Sequence, residues 1–273
     1  MNNDKKTIHF RLSFFVCLLI VIFFNSCYYF YMKRFFVSKQ LNNNETCVID
    51  GIEHNHIKNV MRMSVGDDII LVCGDEFDYS ATITAMSKGD TKVMITGKEK
   101  NIYNSTASVT VFQALVKSDN MSLIVQKLTE LGVKDFVPFE SEFITSKDKF
   151  GKVNKLQEIS NQSIKQCKRS IPMMVADTMS FAKMCEELKE YDIILFANEC
   201  ERTKRLNEIK FDKSQKVAII VGSEGGFSQT EIDKLVAIGA NSITLGKRIL
   251  RAETASISLT AVVMCLLGEW DYA

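Results

Sequence analysis

The sequence has few prolines, few histidines and no excess of charge of either sign. Its 273 residues include two prolines, so long proline-rich linkers are absent. Lysine and arginine number 34 and aspartate and glutamate 33, and this formal net charge of +1 excludes a strongly basic nucleic-acid coat. A local basic patch is compatible with this balance. Apolar residues at 46% and charged residues at 25% indicate a globular protein.

The eight cysteines and three histidines do not form a recognisable zinc site. No two cysteines have the C-x-x-C spacing typical of zinc ligands, so no metal is predicted. The cysteines lie in apolar stretches, which favours reduced, buried thiols in a cytoplasmic protein over a disulfide framework.

Residues 1–31 are unusual because an uncharged apolar run, residues 12–31, lies between two groups of basic residues. Its length matches the roughly 20 residues that cross a bilayer, so one interpretation is a signal peptide or a membrane anchor. The alternative is that Met32 is the true start, since an ordinary polar sequence begins there. We favour this second interpretation and expect no stable membrane association unless residues 1–31 are expressed.

In the remaining chain the predicted pattern of secondary structure changes once. Residues 32–100 contain short apolar or β-branched runs punctuated by glycine and aspartate, which predicts a small β-barrel with one helix at His56–Met63. Over residues 105–273 predicted strands alternate with predicted helices, so a parallel sheet covered by helices is expected. The sequence therefore predicts an α/β protein with two domains after the N-terminal segment.

A glycine-rich segment, VGSEGGFSQTEI, includes the end of the apolar run Lys216–Val221. Ligands of open α/β sheets bind at the C-terminal ends of strands, where glycine lets them approach the main chain. The segment matches neither the P-loop pattern nor the dinucleotide pattern G-x-G-x-x-G. Ser228 and Glu231 have capping-box spacing and predict the start of a helix. A tight turn into that helix, without a ligand, is the alternative explanation of the glycines.

A second segment, LGKRILRAETA, also lies between a predicted strand and a predicted helix. It brings Arg248, Arg251 and Glu253 close together in the chain. A helix N-terminus favours acidic side chains, so two arginines there indicate a phosphate or carboxylate partner. A solvated helix start that carries these charges is the alternative.

Together these segments resemble the signature of the RsmE family of ribosomal RNA methyltransferases, in the SPOUT superfamily. Residues 113–133, 138–147 and 166–172 resemble the same family, and residues 32–37 and 56–67 are similar to its N-terminal PUA-like barrel. The likeness covers nearly all of 32–273. Two positions depart from the family. Ser223 stands where proline is usual, which should loosen the turn, and Lys168 stands where glycine is common, which leaves the role of Arg169 open.

The resemblance implies a SPOUT-type parallel sheet with a trefoil knot, and a PUA-like barrel that binds RNA. It implies a cytoplasmic homodimer that methylates N3 of one uridine in the 16S ribosomal RNA of the small subunit, using S-adenosyl-L-methionine. The cofactor would lie in the cleft of the knotted loops. Its predicted contacts are Leu195, Phe196, Gly222, Glu224, Gly225, Gly226, Leu245, Gly246, Ile249 and Leu250.

Methylation at uridine N3 removes an imide proton, so the site needs a base or a cation that stabilises the uracil anion. Arg251 is the predicted stabiliser, and Glu253 is the predicted base or the group that orients Arg251. Looped RNA is expected, because the target base must leave its stack. The residues predicted to contact RNA are Arg34, His56, Arg62, Lys117, Lys127 and Arg169.

The predicted helix Thr254–Leu267 is apolar nearly all round over its second half. Such a helix must be buried on more than one side, and one sheet covers only one side. We therefore expect a second subunit to cover it, with Val263 at the interface.

Two other functions fit the same residues. One is a SPOUT methyltransferase with another RNA target, such as transfer RNA. The other is an RNA-binding relative that has lost catalysis, although the intact SEGG and RILRAET segments argue against such a loss.

Overall fold

The computed structural model describes residues 32–144, 153–201, 204 and 206–271. The predictions made for residues 1–31 lie outside this part of the chain. Among the described residues, no helix has the length and apolarity needed to span a membrane. These residues form two compact units, one of residues 32–73 and 77–99 and the other of residues 74–76 and 100–271.

The first unit is a sheet of five strands with one short helix. The strands are β1 (Lys33–Phe36), β2 (Thr46–Asp50), β3 (Asp68–Val72), β4 (Phe77–Met86) and β5 (Asp90–Lys100). They pair in the order β1-β3-β4-β5-β2, with β1 parallel to β3. The predicted helix at His56–Met63 begins earlier, as α1 (Gly51–Asn55), and continues as a π-helical turn, His56–Val60. Gly51, with φ +57°, lets the chain leave β2 directly into this helix.

Burial in this sheet alternates with the period of two that a half-buried strand requires. In β5 the side chains of Thr91, Val93 and Ile95 are buried, whereas Lys92 and Met94 are exposed. The alternation explains why the short apolar runs could be predicted as strands. The core of the unit includes Phe35, Ile57, Ile69, Leu71, Tyr79 and Ile83.

The second unit alternates strands and helices. Its strands are β6 (Ser108–Ala114), β7 (Asp135–Glu140), β8 (Met174–Val175), β9 (Met179–Ser180), β10 (Ile193–Ala197), β11 (Lys216–Val221) and β12 (Asn241–Ile243). Its helices are α2 (Ser118–Glu130), α3 (Val153–Cys167), α4 (Phe181–Glu187), α5 (Gln229–Ala237) and α6 (Ala252–Leu266). The strands pair in parallel in the order β12-β10-β11-β6-β7-β8, and β9 also pairs with β7. The predicted parallel sheet is confirmed, and the trefoil knot stays a prediction.

Strand β11 contributes to both hydrophobic cores of this unit. Val217, Ile219 and Val221 belong to one core, and Ala218 and Ile220 belong to the other. Helices α2, α3 and α6 supply side chains to the first core, and α4 and α5 supply side chains to the second. The apolar run of β11 is therefore buried on both faces, as expected for a strand inside a helix-covered parallel sheet.

Helix α6 is covered largely by its own chain. It packs against α2, β6 and β11, and Val263 is fully buried in the first core. The prediction that Val263 lies at a subunit interface is wrong, because the sheet and α2 together already bury it. Apolar side chains that α6 does expose are Val262, at 48%, and Leu266, at 43%.

Helix α2 ends at Gly132 in a Schellman motif. The Gly132 N–H donates to the Thr129 carbonyl, and the Val133 N–H donates to the Leu128 carbonyl. Gly132 has φ +97°, and a Cβ atom there would lie 2.9 Å from Met264 Cε. The backbone conformation therefore favours glycine, and a methyl group here would also require Met264 Cε and Ser105 Cβ, 3.0 Å away, to move.

Gly132→Ala should lower the free energy of unfolding by about 1–2 kcal/mol through its left-handed backbone, and by more through the contact with Met264. Gly239→Ala is the matched control, because Gly239 ends α5 in the same motif with φ +86° and has nothing within 4 Å of its Cβ position. Urea unfolding of the two variants measures the difference. Equal losses would contradict a packing role for Gly132.

Candidate active site

A cleft of about 730 Å³ opens at the C-terminal ends of β10, β11 and β12. The loops that follow these strands line it, together with residues at the starts of α2 and α6. Parallel strands place their C-terminal ends at one edge of a sheet, and for that reason the two segments singled out in the sequence meet here. Both VGSEGG and LGKRILRAE contribute to its wall.

The glycine loop, Gly222–Gly226, closes tightly on itself. The Gly226 N–H donates to the Ser223 carbonyl at 3.0 Å, and Gly226 has φ +70°. A Cβ atom on Gly222 would lie 3.2 Å from the main-chain carbonyl group of Gly226. The two ends of the loop are therefore in close contact, and a side chain on Gly222 would push them apart.

Ser223 ties the glycine loop to the segment that follows β7. Its hydroxyl donates to the Phe143 carbonyl at 2.9 Å and accepts from the Gly225 N–H at 3.3 Å. Proline, the residue usual here in the family that the sequence resembles, has no hydroxyl and can make neither bond. The prediction that serine merely loosens this turn is incomplete, because the serine adds a connection of its own.

Glu231 is buried at the start of α5 and anchors the same region. It forms the predicted capping box with Ser228, in which the Ser228 hydroxyl accepts from the Glu231 N–H and the Glu231 carboxylate accepts from the Ser228 N–H. The carboxylate also accepts from the Glu142 N–H at 3.0 Å and the Ser141 hydroxyl at 3.2 Å. The glycine loop and the helix after it are thus both hydrogen-bonded to the chain that follows β7.

The arginine segment, Leu245–Ala255, presents the cations Lys247, Arg248 and Arg251 to the cleft. Arg248 and Arg251 are exposed and line the cleft, and Arg251 is the N-cap residue of α6. Within the described ranges, neither guanidinium has an ion-pair partner. Glu253 lies in the first turn of α6, and its carboxylate accepts from Asn120 Nδ2 at 3.4 Å. A carboxylate that contacts Asn120 and two guanidinium groups without an ion-pair partner among the described residues therefore line one cleft.

Three predicted cofactor contacts do not line the cleft. Leu195 and Phe196 are fully buried in opposite cores, and Phe196 packs edge-on against Phe227. Gly225 lies against Phe143, whose Cβ would be 2.8 Å from a Cβ on Gly225. Strand side chains of a covered sheet point into the helix layers, so the cleft is lined instead by the loop after β10. The residues missed there are Asn198, Glu199 and Cys200.

The other predicted cofactor and catalytic residues do line the cleft. They are Gly222, Glu224, Gly226, Leu245, Gly246, Ile249, Leu250, Arg251 and Glu253. Lys117, predicted as an RNA contact, lies on the same wall. The segment patterns therefore predicted which loops line this cleft, and they carry no information on which strand residues face it.

Two predicted RNA contacts are wrong because their guanidinium groups are buried. Arg34, 8% exposed, forms a bidentate ion pair with Asp78, in which Nη1 donates to Oδ1 at 2.8 Å and Nη2 donates to Oδ2 at 2.6 Å. Arg169, 5% exposed, donates from Nη1 to the Thr129 carbonyl at 2.7 Å and the Val133 carbonyl at 3.1 Å. Burial lowers the pKa of Arg169. Its role is to satisfy main-chain carbonyls at the C-terminal end of α2.

The remaining predicted RNA contacts differ in accessibility. Arg62 is exposed, with φ +52°. His56 is half-buried, with its ring edge-on to Phe35 at 5.7 Å between centroids. Lys127 is half-buried and forms an ion pair with Glu130 at 2.9 Å. Arg62 is therefore the member of this set with its charge most open to a partner.

The sequence of this chain is similar to those of known RNA methyltransferases. A family model described as an RNA methyltransferase domain matches residues 103–264, and an RNA methyltransferase PUA domain matches residues 49–93. The ribosomal RNA small subunit methyltransferase E of Bacillus subtilis is 30% identical over 245 residues, which cover 84% of this chain and 95% of that protein. The chain belongs to the ribosomal RNA small subunit methyltransferase E family. The family member from Mesomycoplasma hyopneumoniae is 31% identical over 83% of this chain and 96% of its own length.

The likeness to this family extends to the fold. The crystal structure of the Neisseria gonorrhoeae family member, bound to S-adenosyl methionine, matches with a TM-score of 0.80 and 26% sequence identity. The match covers 86% of this chain and 98% of that chain. The family resemblance, the α/β fold and the N-terminal PUA domain predicted from the sequence are confirmed.

Ser223→Ala should speed hydrogen exchange at the Gly225 amide, because that N–H loses its acceptor. Loss of the bond to the Phe143 carbonyl should also lower the free energy of unfolding by about 0.5–1.5 kcal/mol. Ser214→Ala, which removes an exposed hydroxyl bonded to Asp212, is the control and should leave Gly225 exchange unchanged. Unchanged Gly225 exchange in Ser223→Ala would contradict the connection.

Proposed function

We propose that this protein transfers a methyl group from S-adenosyl-L-methionine to N3 of one uridine in the 16S ribosomal RNA of the small subunit. The observation that carries the proposal is the cleft, where the glycine loop and the arginine segment meet at the C-terminal edge of the sheet. The names of the relatives and the cofactor bound in the Neisseria structure support it. We place the reaction in the cytoplasm, in keeping with the six free cysteines among the described residues.

The cleft fits this cofactor in size and in lining. Its volume of about 730 Å³ lies within the roughly 300–1,000 Å³ of small-molecule sites. Ala197, Leu245 and Leu250 offer apolar contacts to a base, and the carboxylates of Glu199 and Glu224 offer negative charge to a cationic ligand. Gly222 and Gly226 line the cleft and have no side chain, so a ligand can approach the main chain there. When bound, the cofactor would supply the electrophilic methyl group, and its sulfur would keep the electron pair of the broken S–CH₃ bond as a neutral thioether.

Glu253 and Arg251 provide the chemistry that the uridine needs. The N3–H bond must break so that its electron pair becomes available to form the N–CH₃ bond. In the proposal Glu253 accepts this proton, and the amide of Asn120 orients its carboxylate. Arg251 stabilises the negative charge that develops on the uracil carbonyl oxygens. Both side chains line the cleft, whose wall also carries Lys117 as a proposed RNA contact.

Glu253→Gln should lower kcat by about 10²–10⁴-fold, the range for a lost general base, with little change in KM for the cofactor. The assay is transfer of tritium-labelled methyl groups from S-adenosyl-L-methionine to small ribosomal subunits from a strain that lacks the gene. Glu158→Gln, an exposed carboxylate on α3, is the control and should retain full turnover. Wild-type protein without transfer would contradict the function, and a Glu253→Gln kcat close to wild type would contradict only the base.

We also propose that the protein is a homodimer that associates through α2 and α6. These helices pack against each other, and they expose Leu123 on α2 with Val262 and Leu266 on α6. Apolar side chains on adjoining helices supply the surface that a second copy can cover. We propose these three side chains as the interface in place of Val263, which is buried within its own chain.

Leu266→Glu should halve the molecular mass in solution, because a carboxylate cannot be buried unpaired between two subunits. Val236→Glu is the control, since Val236 is exposed on α5, a helix that supplies side chains to the other core. Light scattering after size-exclusion chromatography measures the mass. A monomeric wild type, or a Leu266→Glu variant with the dimer mass, would contradict the interface.

A further inference from the structure

Gln113 is a fully buried polar residue beneath the glycine loop to which the proposed chemistry assigns no role. It lies near the C-terminal end of β6, directly opposite Val221 in the parallel register of β6 and β11. This pair is the last one in the register of the two strands. Beyond it β6 keeps its pairing with β7 on its other side, where Ala114 lies opposite Phe139 and the Leu115 N–H donates to the Phe139 carbonyl.

The side-chain amide of Gln113 donates hydrogen bonds to β11 and the glycine loop at the point where the pairing of β6 with β11 ends. Its Nε2 lies 3.1 Å from the Gly222 carbonyl, 3.1 Å from the Ala114 carbonyl and 3.4 Å from the Val221 carbonyl. Two N–H groups are shared among these three acceptors. Val221 and Gly222 are the residues through which β11 passes into the glycine loop, and both line the cleft.

The carboxamide acts here as a donor alone. Its Oε1 atom is buried and has no hydrogen-bond partner among the described residues. A buried acceptor without a partner opposes folding, so stability alone does not account for glutamine at this position. What the side chain supplies is N–H groups aimed at the carbonyls where the glycine loop begins.

We propose that Gln113 is a positioning residue for the cofactor, acting through the glycine loop. By holding the Val221 and Gly222 carbonyls, it sets the orientation of the first peptide groups of the loop. A Cβ on Gly222 would lie within 3.2–3.3 Å of Gly226, so the position of Gly222 also constrains the far end of the loop. That this loop binds S-adenosyl-L-methionine rests on the proposed function.

The test compares Gln113→Met, which keeps the length of the side chain but has no N–H donor, with wild type and with Thr110→Val. Thr110→Val removes a buried hydroxyl from the same strand away from the loop. Gln113→Met should raise Kd and KM for S-adenosyl-L-methionine by about tenfold and change kcat at saturating cofactor by less than about threefold. Thr110→Val should leave all three constants within about twofold of wild type.

A readout without the cofactor separates this proposal from the proposed function. Amide hydrogen exchange over Gly222–Gly226 in the ligand-free protein should be about tenfold faster in Gln113→Met and unchanged in Thr110→Val. If the wild type binds no S-adenosyl-L-methionine, the proposed function fails, and the exchange rates still report whether Gln113 holds the loop.

Gln113→Asn is the second variant, because it adds no volume and its shorter amide cannot span the same distance. A folded Gln113→Met or Gln113→Asn protein with wild-type cofactor affinity and wild-type loop exchange would overturn the proposal. Unfolding of both variants beside a folded Thr110→Val would overturn it too, since Gln113 would then serve the fold rather than the loop.

Discussion

The site depends on the parallel pairing of β11 between β10 and β6. The register aligns Ile193–Phe196 with Val217–Ile220, and Ser108–Gln113 with Lys216–Val221. Because all these strands run in one direction, the loops after β10 and β11 leave the sheet at the same edge, where the loop after β12 joins them. Burial of β11 on both faces fixes the strand, and the strand fixes where the glycine loop begins.

The glycine loop itself is held by hydrogen bonds from outside it. A segment with three glycines has little side-chain surface to bury, so packing alone cannot select one conformation. Ser223 connects it to the carbonyl of Phe143, and the capping box of Ser228 and Glu231 fixes the helix that follows. These are bonds between side chains and main chain, and they leave the cleft side of the loop open to a ligand.

Much of the fold and the position of the site could be predicted from the sequence. The bounds of β11 agree with its apolar run, and the glycine loop and the arginine segment do line the cleft. Both signals are local, because periodicity and capping residues act over a few neighbouring positions. The direction in which a side chain points depends instead on elements that are distant in the chain. Leu195 and Phe196 are next to the predicted cofactor loop in the chain, yet both point into the cores that the helices build.

Long-range partners explain the other errors. The ion pair that buries Arg34 joins residues 44 positions apart, and the carbonyls that Arg169 satisfies lie 36 and 40 positions before it. Val263 is covered by α2 and the sheet, which no property of its own helix reveals. The contact between Ser223 and Phe143, 80 positions apart, is of the same kind.

The proposed methylation at N3 of a uridine in small-subunit ribosomal RNA can be detected by mass spectrometry of that RNA. Small subunits from a strain that lacks the gene are incubated with purified protein and S-adenosyl-L-methionine, and the RNA is digested to nucleosides and mapped. We expect one new N3-methyluridine in the 16S RNA, absent before incubation. A methyl group on another nucleotide, in another RNA, or on no RNA would contradict it.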